Sequence, residues 1–219
     1  GAAHPSTEAH AMEKPSSPKP QKVNHVLIDF ENVQPKNLSL LVGKGYRVHV
    51  FVGENQAKLP FDLVDAMQQL GDAGRYVKIS GNGRNALDFH IAFTLGELVH
   101  QDPEGYFHVI SRDTGFDPLI KHLRRLGVEA HREQDLAEIP PLRTPATVAE
   151  GDKVGVIVNN LAGRGQSRPR RVKTLANTID SLFKPKLSEG EVSQLIGDLQ
   201  AQGFITLDGD KVSYRLPRD

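Results

Sequence analysis

The chain contains no cysteine in its 219 residues, which excludes a disulfide framework and a zinc site built on thiolates. It also lacks an excess of either charge, because 27 basic side chains balance 27 acidic ones. The whole molecule therefore has no strong field that would attract nucleic acid, and any such attraction must come from a local patch. No apolar run approaches the roughly 18 residues that span a bilayer, and no signal peptide is recognisable. These absences predict a soluble cytoplasmic protein without a membrane partner.

Aromatic side chains are scarce, at 6% of the sequence, so no platform for stacking nucleic-acid bases is evident. Hydrophobic residues make up 38%, somewhat low for a compact fold, which places part of the chain outside any core. Residues 1–22 fit that description, since they are rich in proline, serine, alanine and lysine without an apolar period, and we predict that they are disordered. Neither a G-x-G-x-x-G motif nor a Walker loop is present, which disfavours a nucleotide-binding α/β domain.

Between residues 23 and 133, apolar strands alternate with amphipathic stretches. The pattern predicts strands at residues 23–29, 46–52, 75–79, 106–111 and 128–131, with helices in the intervals. Repeated βαβ units imply right-handed crossovers and a mostly parallel sheet. The first strand has Val26, Leu27 and Ile28 in succession and is therefore apolar on both faces, as strands are when helices cover both sides of a parallel sheet. We expect a three-layer α/β domain over residues 23–133.

The remainder of the chain predicts a smaller second domain. Residues 134–150 carry several prolines and little periodicity, which indicates a fairly stiff linker. In residues 151–219, three segments have apolar residues at helical spacing, and Ser188 and Glu191 have the spacing of a capping box before the third. A β-hairpin then forms around the glycine turn at residues 208–210. Three helices followed by a hairpin are typical of a winged helix-turn-helix domain.

Four aspartates stand at positions that the predicted topology can bring together. Asp29 ends the first strand, and Asp113 follows the fourth. Asp117 lies one helical turn beyond Asp113, and Asp88 lies in the first turn of the helix before the fourth strand. The first and fourth strands are neighbours in common doubly wound sheets, and their carboxyl ends flank the crevice where ligands bind. We expect all four carboxylates to converge there.

Such a cluster is unfavourable without a counter-charge. Two carboxylates about 5 Å apart repel each other by roughly 3 kcal/mol at an effective dielectric constant near 20, so several such pairs would weaken a marginally stable domain. Oxygen ligands suit a hard cation, Mg²⁺ or Mn²⁺. A divalent ion held by carboxylates activates water and neutralises charge on a phosphodiester. The sequence therefore predicts metal-dependent hydrolysis at phosphorus, with Asn32 orienting a water molecule or a phosphate oxygen.

Each aspartate also has a purely structural explanation. Asn85 and Asp88 are spaced like a helix start with a favourable acid in its first turn. Asp113 could form only a turn and a helix cap, and Asp117 could be a solvated helix residue. Asp29 is the hardest to explain in this way, because an aspartate that ends an apolar strand has no obvious structural task. The metal hypothesis depends on the four acids occurring together at the corresponding ends of their elements.

Three motifs, LIDFENV, NALDFHIAF and VISRDTGFDPLI, resemble the NYN family of PIN-like nuclease domains over residues 23–133. The resemblance implies a PIN-like α/β sandwich with a metal-dependent ribonuclease site. It implies that Asp29 and Asn32 match the first motif of that site, that Asp88 is its middle acid, and that Asp113 is the acid after the fourth strand.

The chain departs from this pattern at one position. Many relatives have a second aspartate two residues beyond the position of Asp113, where this chain has Gly115. Asp117 is the candidate substitute, so the second metal position and the strength of activity stay open. The second domain is similar to the winged-helix modules, including the LOTUS type, that accompany some NYN domains.

Basic residues form two candidate contacts with nucleic acid. Lys78, Arg84 and Arg112 flank the predicted metal site, and Arg84 lies in a glycine-containing loop whose backbone N–H groups can also meet phosphate. A second group is concentrated, without an acid, between residues 164 and 173, which predicts phosphate contact. Its members are Arg164, Arg168, Arg170, Arg171 and Lys173. A solvated loop and helix start explains the same segment equally well.

These observations support two functions. The first is a Mg²⁺- or Mn²⁺-dependent endoribonuclease whose helix-turn-helix domain delivers or selects RNA, with DNA as a further possible partner. The second is a catalytically weak PIN-like module that binds nucleic acid or a protein, which Gly115 and the neutral net charge favour.

Overall fold

The computed structural model describes residues 1–3 and 21–217 of the chain. The disorder predicted for residues 1–22 therefore falls, for residues 4–20, outside the described part. The described residues form an N-terminal α/β unit, a connecting segment and a C-terminal unit of helices with a hairpin. No helix in these ranges combines the length and the apolar character needed to cross a membrane.

A five-stranded sheet with all strands parallel forms the centre of the α/β unit. The strands are β1 (Asn24–Asp29), β2 (Tyr46–Val52), β3 (Gly74–Lys78), β4 (Tyr106–Ile110) and β5 (Glu129–Glu133). Their order across the sheet is β3-β2-β1-β4-β5, which confirms the predicted parallel sheet and the neighbouring positions of β1 and β4. The order reverses between these two strands, so the switch-point crevice lies at their carboxyl ends.

Helices on both faces of the sheet complete the three layers. They are α1 (Phe61–Leu70), α2 (Ala86–Gln101) and α3 (Asp117–Arg125). On one face, Ile28 of β1 shares a buried core with Leu63 of α1. On the other face, Leu27 shares a core with Ile91 of α2. Because β1 is buried on both faces, it is fixed in register, and with it the position of the aspartate at its end.

The segment between β1 and β2 differs from the expected short helix. It forms a single 3₁₀ turn at Leu38–Leu41, whose two leucine ends are buried against the sheet. Strand β2 has the predicted bounds, and the boundaries of the other four strands differ from the predicted ones by at most two residues. None of these differences changes the layers or the edge at which the strands end.

Residues 134–150, predicted as a linker, are built into both units instead. Two 3₁₀ turns, Leu136–Glu138 and Pro140–Leu142, follow β5. Leu136 and Ile139 are completely buried in the core of the α/β unit. A short strand, β6 (Thr144–Pro145), then pairs in parallel with β7 (Phe183–Lys184) of the C-terminal unit. Buried apolar contacts, in addition to the prolines, therefore fix the path of this segment.

The C-terminal unit contains three helices and a hairpin, as the sequence predicts. These are α4 (Glu150–Arg164), α5 (Val172–Ser181) and α6 (Glu189–Ala201), with hairpin strands β8 (Ile205–Asp208) and β9 (Lys211–Tyr214). The Ser188 hydroxyl accepts a hydrogen bond from the backbone N–H of Glu191 at 3.1 Å, which confirms the predicted cap. The backbones of Arg168 and Arg171 are both extended, so helix α5 begins only at Val172.

Buried polar contacts join the two units. Asp135 Oδ1 accepts hydrogen bonds from Asn37 Nδ2 of the α/β unit at 3.0 Å and from Asn160 Nδ2 of α4 at 3.2 Å. Glu138 Oε1 lies 3.8 Å from Arg164 Nη2. Asp135 and Glu138 are both buried, and buried carboxylates require such partners. These contacts hold the C-terminal unit against the first.

Candidate active site

Asp29 occupies the carboxyl end of β1 and is 1% exposed. Its Oδ2 accepts hydrogen bonds from the Ser111 hydroxyl at 2.8 Å and from Asn32 Nδ2 at 3.1 Å. Asn32 reaches it because the chain turns directly after the strand, where the Val33 N–H donates to the Asp29 carbonyl at 2.8 Å. Ser111 reaches it because β4 pairs with β1 and ends at the same edge. The two loops thus hold a buried carboxylate between two side-chain donors.

Burial raises the pKa of Asp29 above its ordinary value, since the charged form loses hydration. The hydrogen bonds from Ser111 and Asn32 act in the opposite direction, and the nearby charge of Asp113 adds to the rise. The donors therefore favour the anionic form that a cation would need, against the unfavourable effect of burial.

Asp88 lies in the first turn of α2, directly after the loop of residues 80–85. Asn85 precedes the helix with a left-handed backbone, φ 63°, and its side chain makes no capping hydrogen bond. A side-chain cap was what the simple helix-start explanation of these two residues required. The structural explanation of Asp88 therefore keeps only one element, the favourable interaction of an acid with the first turn of a helix. Asp88 instead lines a cavity together with Asp113.

Asp113 follows β4 and begins the 3₁₀ turn Thr114–Phe116. Its Oδ1 accepts the backbone N–H of Gly115 at 2.8 Å, and its own N–H donates to the Ser111 hydroxyl at 3.0 Å. The turn-and-cap explanation therefore holds for this residue, but its carboxyl also lies where it can accept a hydrogen bond from the protonated form of Asp88. A Cβ at position 115 would lie 2.9 Å from Asp113 Oδ1, so this turn favours glycine there.

Asp29, Asp88 and Asp113 influence one another electrostatically. Burial and the charges of Asp29 and Asp113 raise the pKa of Asp88 to about 6, and the hydrogen bond to Asp113 acts in the same direction. Among the described residues, however, no group of three or more His, Asp or Glu side chains has the arrangement needed to hold a metal ion. The three carboxyls therefore converge on one edge of the sheet without forming a complete coordination sphere in advance.

Asp117 is not part of this convergence. Its Oδ1 lies 2.6 Å from Arg132 Nε and its Oδ2 lies 3.3 Å from Nη2, which makes a two-pronged ion pair with β5. Arg132 also donates to the Ser111 carbonyl at 3.0 Å. The expectation that Asp117 replaces the acid missing at Gly115 assumed that one helix carries both Asp113 and Asp117, but α3 begins only at Asp117. In the structure Asp117 instead orients Arg132 and, through it, the loop after β4.

Glu31 is a further acid at this edge that the sequence pattern did not single out. Its charge contributes to the raised pKa of Asp88. Its carboxylate lies over Gly53, just beyond β2, where a Cβ would approach Glu31 Oε1 to 2.6 Å. The signal was present in the first motif, since Glu31 stands two residues beyond Asp29, but an acid in an exposed turn has no distinctive pattern.

A polar cavity of about 570 Å³ lies on one side of the acids. It is enclosed by the loops after β1, β2 and β3, and Glu31, Asn55 and Arg84 are among its lining residues. Lys78 Nζ donates at 3.4 Å to the carbonyl of Gln56, which also lines the cavity. Lys78 and Arg84 are exposed, so both predicted nucleic-acid contacts of this group are accessible at the polar cavity.

An aromatic cavity of about 340 Å³ lies on the other side, between α2 and the loop after β4. Asp88 and Asp113 line it together with Phe89 and Phe116. Asn85 lines this cavity as well as the polar one, so the two adjoin at the start of α2. The two cavities thus form one trough that is polar at one end, where Glu31 lines it, and partly aromatic at the other, where Asp88 and Asp113 line it.

Arg112 connects the two loops that carry Asp29 and Asp113. Its Nε and Nη2 donate to the Asn32 carbonyl at 3.2 and 2.9 Å. The guanidinium is exposed at the same edge of the sheet as the acids. This predicted nucleic-acid contact therefore has a structural task as well as an accessible charge.

The basic segment of residues 164–173 contains two arginines with structural roles. Arg164 is 8% exposed, and its Nε donates to Asn160 Oδ1 at 2.7 Å within α4. Arg168 Nε donates to the Leu161 carbonyl at 2.9 Å, and its guanidinium lies 5.7 Å from the centre of the Tyr214 ring. Both stabilise the C-terminal unit, which corrects the expectation that all five basic residues are available to phosphate.

Arg170, Arg171 and Lys173 are exposed around the start of α5. Arg171 Nη1 lies 3.3 Å from Asp210 Oδ2 of the hairpin, a surface ion pair worth at most about 1 kcal/mol. Cations at a helix N-terminus are unfavourable to the helix dipole, whereas an anion there is favourable. These three residues remain the members of the segment that suit a phosphate.

A family model described as a PIN domain matches residues 23–133, just over half of the chain. The match covers the whole α/β unit, from the residue before β1 to the end of β5. Comparisons with curated proteins and with solved structures gave no significant match. PIN domains are generally metal-dependent nucleases, which agrees with carboxyls gathered at the carboxyl edge of a parallel sheet. The chain belongs to the PIN domain family.

Proposed function

We propose that this protein is a metal-dependent endoribonuclease of the NYN branch of PIN-like domains. The observation that carries the proposal is the convergence of Asp29, Asp88 and Asp113 at the carboxyl edge of the sheet, where burial and, after it, the charges of Asp29 and Asp113 raise the pKa of Asp88 to about 6. Like charges that face one another reduce the stability of the fold. A site that needs negative charge at this edge explains the arrangement better than packing does.

The donor set fits a hard divalent cation. Asp29, Asp88 and Asp113 offer carboxylate oxygens, the ligands that suit Mg²⁺ and Mn²⁺. Mg²⁺ usually keeps several waters and uses only one or two protein carboxylates, so it does not require a complete cage of side chains. We propose that the protein ligands of the ion come from these three residues, with water completing its coordination. A bound ion would supply positive charge against the phosphodiester and would assist the activation of water.

The protein's own side chains would orient the reacting groups. Ser111 and Asn32 hold the Asp29 carboxylate in one position and favour its charged form. The Asn32 amide has a second N–H besides the one that contacts Asp29, which suits it to orient a water or a phosphate oxygen. Because the pKa of Asp88 is about 6, cation binding below that pH must displace a proton, and the affinity for the ion falls with it.

We propose that the C-terminal unit is a winged helix-turn-helix domain, similar to LOTUS modules, that contacts RNA. Its three helices and antiparallel hairpin support this proposal. So does the exposure of Arg170, Arg171 and Lys173 around the start of α5. Phosphate contacts position a nucleic acid without identifying it, so DNA remains a second candidate partner.

A catalytically weak binding module is the second candidate function. Gly115 stands where many relatives have an acid, and Asp117 is paired with Arg132 at 2.6 Å. A site with three converging acids binds a second cation less readily than a site with four. This candidate keeps the same trough and the same basic residues but omits the hydrolysis.

The experiment compares wild type with Asp29→Asn on labelled single-stranded RNA in Mn²⁺, in Mg²⁺ and in EDTA. Metal-dependent products from wild type, reduced at least about 100-fold in the variant, are expected, because substituting even the outer partners of metal ligands costs about 10–100-fold. Asp62→Asn is the matched control, since Asp62 is an exposed acid in the first turn of α1. RNA binding without products in any metal would favour the binding module, and equal cleavage by wild type and Asp29→Asn would contradict the proposed site.

A further inference from the structure

Two exposed aromatic residues on α2 have no role in the proposed metal site. Phe89 and Phe93 are 71% and 69% exposed, so both rings stand largely in water. They are four residues apart on one helix and therefore lie on the same face, one turn from each other. A single exposed phenylalanine needs no explanation, but two adjacent rings form a patch of the kind that marks a binding surface.

Phe89 joins this pair to the proposed metal site. It follows Asp88 directly in the chain, and it lines the aromatic cavity together with Asp88 and Asp113. The cavity adjoins the polar one at Asn85, which lines both. A chain that crosses the acids along the trough would therefore leave the polar half and meet the ring of Phe89 next.

We propose that Phe89 stacks on the base of a nucleotide beside the scissile phosphate and that Phe93 extends this platform to a neighbouring base. This inference rests on the proposed nuclease function. Aromatic rings stack on every base, since every base has a π-face, so the platform holds a single strand without strong sequence preference. Bases in a duplex are already stacked on one another and offer no free face to the rings.

The charges along the trough favour a nucleic acid over a protein as the occupant. Arg84 and Lys78 are exposed at the polar half, and Arg112 is exposed beside the loop of Asp113. Basic groups for the phosphates on one side and flat apolar rings for the bases on the other are the two components of single-strand binding sites. A protein partner on the same rings is the outcome that the experiment must distinguish.

The first measurement is the affinity of the full chain for a fluorescent single-stranded RNA, read by anisotropy in EDTA so that no cleavage occurs. Phe89→Ala should weaken binding by about 5- to 150-fold, the range for losing one stacked base. Phe89→Tyr keeps the ring and should bind as wild type does. Phe61→Ala is the matched control, because Phe61 is 81% exposed on α1 and lines neither cavity. In the presence of metal, Phe89→Ala should raise KM with little change in kcat.

The second measurement removes the base instead of the ring. RNAs with one abasic nucleotide, moved stepwise along the strand, should bind wild type more weakly at one position, by a factor similar to that of Phe89→Ala. At that position the variant should lose nothing further, because the two changes remove the same contact. Equal affinity of wild type and Phe89→Ala, or abasic penalties that the variant leaves unchanged, would overturn the proposal.

Two other outcomes have different meanings. Unchanged RNA affinity together with a change from dimer to monomer in Phe89→Ala, measured by light scattering, would overturn the stacking proposal and assign the pair to an interface between copies. Wild-type protein that cleaves no RNA would refute the proposed nuclease, whereas the affinities in EDTA would still decide whether the rings stack on bases.

Discussion

Replacing Asp88 by asparagine should stabilise the metal-free protein, although it removes a side chain of the proposed active site. The pKa of Asp88 is about 6 in the fold, against the ordinary value of 3.8, so folding disfavours its charged form. A difference of that size corresponds to at most about 3 kcal/mol in the free energy of unfolding. Asp88 is only half-buried, and water screens part of the repulsion, which reduces the expected effect to about 1–2 kcal/mol.

A smaller effect opposes this gain. Asp88 lies in the first turn of α2, where a negative charge interacts favourably with the helix dipole by about 0.3–1 kcal/mol. Asparagine loses that interaction, but it also removes the cost of burying the charge and the repulsion from Asp29 and Asp113, which together are larger, so we expect a net gain of about 1 kcal/mol at pH 8. Asp62→Asn isolates the dipole contribution, since Asp62 lies in the first turn of α1, and it should be slightly destabilising.

The gain should depend on pH in one direction. Below about pH 4 Asp88 is protonated in the folded and the unfolded chain, so wild type and Asp88→Asn should differ little. Between about pH 4 and 6 only the unfolded chain releases the proton, so wild type loses stability relative to the variant as pH rises. Above about pH 6 the difference should stay constant.

Urea unfolding in EDTA at several pH values from 4 to 8 measures this difference. Circular dichroism is the suitable signal, because the chain has no tryptophan. A gain that is the same at every pH, or an Asp88→Asn protein less stable than wild type at pH 8, would refute the convergence of the three carboxyls.

Three further predictions address neighbouring contacts. Ser111→Ala should lower the free energy of unfolding at pH 7 by about 1–3 kcal/mol, because buried Asp29 loses its 2.8 Å donor, and urea unfolding with no measurable loss would contradict this. Asp117→Asn should cost no more than about 1 kcal/mol and leave the cleavage rate near that of wild type, since its ion pair with Arg132 is half exposed; a loss as large as that of Asp29→Asn would return Asp117 to the ligand set. Joint replacement of Arg170, Arg171 and Lys173 by alanine should reduce the slope of log affinity for single-stranded RNA against log salt concentration by about 2. An unchanged slope would count against contact between these residues and phosphate.

The parallel sheet could be predicted because its central strand, β1, has a sequence pattern that is easy to recognise. Val26, Leu27 and Ile28 leave no face of β1 for solvent, and a strand buried on both faces belongs at the centre of a covered sheet. The place of Asp29 at the carboxyl edge follows from the same strand. The neighbouring position of β4 then brings Ser111 and Asp113 to that edge.

The connecting segment could not be predicted in the same way. Leu136 and Ile139 are isolated apolar residues among prolines and acids, without a helical or a strand period. Their burial depends on a surface of the α/β unit formed by residues distant in sequence. Local pattern therefore indicated a linker where tertiary packing builds part of a core.

The role of Asp117 was hidden for a related reason. Spacing along one helix predicted that it faces the same side as Asp113, but a 3₁₀ turn at Thr114–Phe116 intervenes and changes its direction. Its partner, Arg132, lies on β5, and no sequence pattern indicates that pair. Arg164 is a similar case, because its burial depends on contacts with Glu138 of the connecting segment.

The aromatic pair of Phe89 and Phe93 could not be predicted from the composition or the sequence pattern. Aromatics are only 6% of the chain, and the motif NALDFHIAF is apolar enough that Phe89 and Phe93 look like part of a core-facing stripe. In the structure Leu87, Ile91 and Leu95 take the buried face of α2, which leaves both rings on the exposed one. Which apolar residues of a helix remain in solvent depends on the width of the surface that the helix covers.

The most direct measurement is the rate of single-turnover RNA cleavage in Mn²⁺ by wild type and by three variants, Asp29→Asn, Asp88→Asn and Asp113→Asn. A metal site formed by these carboxyls predicts that each variant loses at least about 100-fold in rate while it remains folded and keeps its RNA affinity in EDTA. Cleavage that persists in all three variants, or that proceeds unchanged in EDTA, would contradict a metal-dependent nuclease site at this edge of the sheet.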